Sequence, residues 1–368
     1  MRDRLLRTLL RVAMLAAAVL LGAAAVLAQR SYDAPIEVYV MRTPPEASAG
    51  LSRVIFIDSV TGETVSADVE GGRFTIVGGY VLYQQPNGTL FRLWPDGRTE
   101  LHPFIQPAPE TQQIDWVVSP DQNWIAWTLA NRAGGGQVVT ITTLARADGT
   151  EPRVLLMDGP DAFMRIRPLA LTDDGIFFFD RQPQGVGDYF FYSQYAAVHR
   201  LDPGSSEPRL LPFEPNCFCG AGLSADGRYF ARLERVSETG GYDMRVWNLE
   251  AGLDSFAPSI PAPYEIAGAV LVAPDGSRVV YSLANNLTLD SAGSGRERFM
   301  LALVDVAAEE QRPLLFNPLL VPLLPMGWTD GGGSVLLYNP RQDGTWKLIL
   351  ETGEIRQVSG GTRIGMIR

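Results

Sequence analysis

Short apolar runs broken by turn-forming clusters fill the chain from about residue 50 to its end, and one such unit recurs. Ile114–Val118 and Trp124–Leu129 are apolar, and between them stands Ser119-Pro120-Asp121-Gln122-Asn123. Proline presets φ for the first central turn position, Asp bonds the backbone ahead of it, and Gly accepts a positive φ. The same junction returns at Thr172-Asp173-Asp174-Gly175, Ser224-Ala225-Asp226-Gly227, Ala273-Pro274-Asp275-Gly276 and Thr329-Asp330-Gly331-Gly332, about 50 residues apart each time. A period of that size denotes a solenoid or a propeller. Each junction predicts a hairpin, and two further strand-like runs follow it, such as Val138–Leu144 and Arg153–Met157. Four strands per repeat make one blade, so the fold expected is all-β, a β-propeller.

Six four-stranded blades are expected: Arg73–Phe104, Gln113–Met157, Met164–Pro212, Cys219–Ile260, Tyr264–Phe316 and Leu319–Ser359. Asn87-Gly88 and Asp96-Gly97 in the first read as type I′ hairpin turns. The ring must close, because an open ring leaves strand edges exposed. The strands Val54–Asp58 and Glu63–Val69 are expected to pair near the C-terminal strands of a six-bladed ring. The alternative is seven blades, with 54–69 and the tail Thr362–Arg368 building one split blade.

The Ser-Pro-Asp-x…Ile-Ala-Trp pattern at 119–127, and Ala273-Pro274-Asp275-Gly276-Ser277-Arg278-Val279-Val280-Tyr281, resemble the WD-like propeller repeat of the TolB family of bacterial envelope proteins. The resemblance covers about five repeats over nine or ten residues each, and it implies the architecture. The same repeats serve partner-binding proteins and the propeller halves of peptidases.

Ahead of the repeats, residues 1–28 read as a signal peptide or membrane anchor: arginines interspersed in Met1–Arg11, then the apolar Val12–Leu27. Val26-Leu27-Ala28 suits signal peptidase, and retention as an anchor is the other reading. Either way the propeller, residues 51–368, is expected outside the cytoplasm. Residues 29–50 read as a flexible tether holding one strand, Ile36–Met41. The formal charge is −10, and without the N-terminal segment 27 basic groups face 40 acidic ones, which argues against nucleic acid and against anionic lipid surfaces. Two histidines, His102 and His199, and two cysteines give no zinc-finger or multi-histidine centre, so no metal and no cofactor are expected.

Candidate site residues fall in three groups. Long second-to-third connections in blade three (Arg181–Tyr195) and blade five (Ala284–Arg298) offer Tyr189, Phe191, Tyr192, Tyr195, Asn286 and Asp290 as binding residues on one face. The other reading of the aromatics has them start the third strand and pack between blades. First strands offer Asp115, Arg165, Arg167, Glu265 and Trp328 to line the central channel, or to form an inter-blade ion network. Cys217 and Cys219 form a disulfide candidate, given a local turn, with free thiols or a redox pair as alternatives. Gly-x-Ser-x-Gly is absent, so no serine hydrolase elbow is expected. The function expected is a non-catalytic, monomeric, exported propeller that binds a protein or cell-envelope component through its loop-rich face. The alternative is a carbohydrate- or peptide-acting hydrolase or lyase working in the channel.

Overall fold

The computed structural model describes residues 34–42, 50–183, 188–189, 191–212, 219–236, 241–260, 264–289, 295–315 and 317–368. Among them the strands form seven four-stranded antiparallel sheets arranged as propeller blades, plus one two-stranded hairpin. The ring thus has seven blades, and the six-blade expectation is corrected. Blades one to six begin at Gly72, Thr111, Met164, Ala221, Ile266 and Leu324, each running outward from a first strand at the channel. The seventh is the split blade: Thr362–Ile367 pairs with Ile36–Arg42, which pairs with Leu51–Asp58, which pairs with Thr64–Glu70. The strand at 36–42 is therefore an inner member of the closing sheet, and only residues 43–49 of the expected tether's second half lie outside the description. Residues 1–33, with the expected signal or anchor, also lie outside it. No helix among the described residues is long and apolar enough to cross a membrane.

Burial follows a strand's place in its blade. Second strands touch neighbouring blades on both faces and are nearly all apolar: Tyr80-Val81-Leu82-Tyr83 and Phe177-Phe178-Phe179 are buried throughout. Outermost strands such as Thr99–Leu101 and Ile355–Ser359 hold no buried residue. The core is consequently a series of inter-blade layers. Phe177 and Phe179 face blade two with Leu144 and Ala126, while Phe178 faces blade four with Phe230.

Closure uses the same physics. Val38, Val54 and Phe56 of the split blade pack with Ile367, and with Ile76 and Val81 of blade one. Arg42 adds an ion pair to Asp343 of blade six at 2.9 Å. At the other end of the ring, Gln122 of the blade-two turn donates its amide to the Met366 carbonyl at 2.7 Å. Gln122 holds φ 64°, a left-handed value. The equivalent turns place Gly175, Gly227, Gly276 and Gly332 there.

The turns at 87–88 and 96–97 differ from expectation. Only Gly88 and Gly97 take positive φ, while a type I′ turn needs it at both central residues. Asn87 and Asp96 instead accept backbone N–H groups two residues ahead through their side chains.

Candidate functional site

The antiparallel wiring sends first-to-second and third-to-fourth connections to one face of the ring, the turn face. Second-to-third and inter-blade connections go to the other, the loop face. On the turn face the longest connection, between Leu201 and Arg209, has seven residues. Its repeated junctions satisfy their own polar groups. The Ser119 hydroxyl donates to Asp121 at 2.5 Å and accepts the Trp124 N–H at 3.0 Å. Ser224 does the same with Asp226 and Tyr229. Adjacent turns also interlock, with the Asp121 N–H donating to Asp173 at 2.8 Å.

The loop face is irregular. Its longest connection runs from Pro183 to Val198 and carries the extra hairpin, Asp188–Tyr189 paired with Tyr192–Ser193. The first strand of blade four, Ala221–Leu223, is only three residues long, which leaves the channel wall open at its loop-face end. The blade-three hairpin fills that gap. Gln194 donates to the Ala267 carbonyl of blade five at 3.3 Å, and Tyr195 bridges to Cys219. A Cβ on Gly268 would stand 2.4 Å from Cβ of Tyr192, so the close approach requires glycine. Tyr192 is fully buried in a cluster with Ile266, Ala284, Phe299 and Leu324. Phe191 lies 4.7 Å beneath the guanidinium of Arg341 in blade six, which also pairs with Glu297 of blade five at 2.8 Å. Blades three and six stand nearly opposite in a ring of seven, so this contact spans the loop-face mouth. The hairpin's return leg is held by Asp180, which accepts N–H groups from Ala196 and Ala197 at 3.0 and 2.6 Å. Burial pushes the Asp180 carboxyl up, and the two N–H groups pull it back.

Of the expected binding residues, Tyr192 and Tyr195 are thus interior and out of a partner's direct reach. They pack between blades, and the third strand begins only at Val198. Phe191 is half-buried under Arg341. Tyr189 and Asn286 fall on strands whose side chains there lie outside the description, as does Asp290. The expected blade-five loop is largely strand: Arg278–Leu289 and Gly295–Asp305 stay paired as far as Leu289 opposite Gly295. Cys219 is disulfide-bonded; Cys217, the other cysteine of the chain, lies outside the described residues.

Two of the five expected channel residues, Asp115 and Arg165, join one inter-blade network, and Arg167 makes a separate contact. Asp115 pairs with Arg73 of blade one at 2.8 Å and accepts from Gln113 at 2.5 Å, and Gln113 in turn accepts from Arg165. Arg167 donates to Ser193 of the hairpin at 3.1 Å. Glu265 is exposed at the loop-face start of its strand, and Trp328 packs between blades five and six with Arg278 5.5 Å above its ring. Sequence reading passed over Arg73, Gln113, Arg341 and Glu297; the signal of alternate polar residues on a first strand could have found Gln113. It also passed over two exposed apolar side chains in loop-face crossings, Phe163 at 76% and Leu320 at 67% exposure.

No protein-family model matches the chain, and no curated protein matches it. Solved structures do. A prolyl endopeptidase overlays with a TM-score of 0.60 at 11% identity over 89% of this chain, which spans half the length of that protein. Oligogalacturonate lyase from Vibrio parahaemolyticus overlays at 0.52 and 12% identity, covering 83% of this chain and 82% of that one. TolB from Acinetobacter baumannii is also among the matches, at 0.41 and 15% identity over 78% of this chain and 64% of that one. At these identities the likeness is one of fold alone: the chain is a β-propeller.

Proposed function

We infer that this is an exported, non-catalytic propeller that binds a protein or cell-envelope component through its loop face. The observation that carries the reading is the blade-three hairpin laid across the loop-face mouth, from Arg167 and Ser193 through Gln194 on Ala267 to Phe191 under Arg341. A channel enzyme needs that mouth open to substrate, whereas a binding protein gains a continuous rigid platform. Exposed Phe163 and Leu320 supply apolar contacts on it, the kind of side chain that anchors interfaces. The hydrolase or lyase reading rests on enzymes among the structures of similar fold, but of the two channel carboxylates expected from sequence Asp115 is occupied by Arg73 and Gln113, and Glu265 is exposed at the start of its strand.

The test is affinity capture from envelope extract with the wild-type chain, a Phe163→Ser/Leu320→Ser variant and a turn-face control, Arg98→Ala. A stoichiometric partner lost only with the loop-face variant supports the reading. Capture lost equally with the control, or absent from all three, overturns it.

A further inference from the structure

We propose that the loop face also holds a binding site for a neutral, polyhydroxylated ligand, an oligosaccharide segment, in a groove between the closing blade and blades one and two. The proposal rests on the reading of that face as the binding face. The groove is open to solvent, measures about 580 Å³ and is lined by Arg73, Gln84, Gln85, Asn87, Thr111 and Gln112, with bare backbone at Gly50, Gly71, Gly72 and Gly88. A volume of that size falls within the usual range of ligand sites.

Its chemistry is amide, hydroxyl and peptide. Gln85 and Gln112 belong to the groove lining, and their carboxamides make no hydrogen bond within the described residues. A carboxamide presents both donors and an acceptor, matching a sugar hydroxyl that also does both. The single charge is paired within the protein. The Arg73 guanidinium pairs with Asp115 at 2.8 Å, donates to the Ile114 carbonyl at 2.5 Å and sits 4.2 Å over the Trp116 ring. An anionic ligand would have to compete with Asp115. Pro86 is the one apolar lining residue, so a peptide would find hydrogen bonds for its backbone and no pocket for its side chains.

The backbone beneath is specialised. Arg73 holds φ 57°, a left-handed value rare outside glycine, and a Cβ at Gly71 would strike the Gln84 carbonyl at 2.5 Å. Strained residues of this kind concentrate at ligand sites. Here the Arg73 guanidinium sits over the Trp116 ring at one edge of the groove.

Titration calorimetry with maltotetraose, cellotetraose, chitotetraose and mannotetraose tests the site on the full chain, on Gln85→Ala/Gln112→Ala and on Phe163→Ser/Leu320→Ser. The expected result is saturable binding of at least one probe. It weakens about tenfold or more in the amide variant, as the loss of one or two hydrogen bonds requires, and is unchanged in the apolar variant. Unchanged melting of the amide variant separates this from misfolding. Three results overturn the site: no probe binding, binding indifferent to Gln85 and Gln112, or a peptide library captured in place of the sugars and lost with the same amides. None of them bears on partner capture through Phe163 and Leu320, which is read separately.

Discussion

The two faces of this ring are built from the same strands and differ in what joins them. On the turn face each junction closes on itself, and Gly227 and Gly276 are packed hard against the preceding blade. Gly276 holds φ 70°, and a Cβ there would meet the Tyr229 ring at 2.3 Å. On the loop face the hairpin turn at Gly88 holds φ 87° with nothing within 4 Å of the added carbon. One face carries the architecture; the other is free to vary, and it is there that a short blade-four strand is completed by a hairpin from blade three. Packed, self-satisfied turns resist change, whereas loop-face segments accept new side chains, which is where binding surfaces arise on scaffolds.

Changes at matched positions break or sharpen that contrast. The largest effect is expected from Gly276→Ala, which combines left-handed strain with a clash: about 2–4 kcal/mol of lost stability in urea melts. Gly88→Ala has the strain alone and should cost about 1 kcal/mol. Equal losses at both sites would show that packing does not distinguish the faces.

Next comes a pH effect on a loop-face crossing that is rigid. His102 is buried, its Nδ1 accepts the Ile105 N–H at 3.0 Å, and its Nε2 meets the Tyr80 hydroxyl at 3.1 Å. Burial, with help from Arg92, lowers its pKa to about 3. The unfolded chain binds this proton near pH 6.5 and the folded chain does not. Its contribution is therefore complete above pH 6.5 and erodes as pH falls towards 3, by about 1.4 kcal/mol per unit. Between pH 6 and 5, above the range of ordinary carboxylates, the stability of His102→Asn should lose this slope relative to wild type. Parallel slopes would mean that His102 is protonated in the fold.

Smaller effects are expected at two contacts that hold each face together. Gln122→Ala removes the amide bond to Met366 and should cost about 1 kcal/mol. Faster exchange at 362–367 would mark loosened closure, and unchanged exchange there would remove Gln122 from it. Gly268→Ala should displace Tyr192 and raise exchange at 191–197, leaving the turn-face amides unchanged. A uniform rise around the ring would mean that the hairpin is no separate element.

Much of the ring was legible because it is local. The hydroxyl, Asp and Gly of 224–227 specify a turn within a few residues, and Trp124–Leu129 or Tyr80–Gln84 declare buried strands by composition alone. Blade number was less so: Ile36–Arg42 and Thr362–Ile367 meet across more than 300 positions, and no local pattern reports that pairing. The channel contacts were half visible, since Asp115, Arg165 and Arg167 lie on first strands. Their partners Arg73 and Ser193 depend on a left-handed backbone and on a hairpin that only the missing length of blade four makes room for. Tyr192 reads as an interface aromatic from its neighbours and is core because Gly268 faces it.

The claim that the loop face binds is tested most directly by hydrogen exchange on the wild-type chain, alone and with the partner captured from envelope extract. The account predicts slowed exchange at 157–164, 191–197 and 317–323, with the turns at 119–123, 172–175, 224–227 and 273–276 unaffected. Protection confined to those turns, with the loop face exchanging as before, would contradict it.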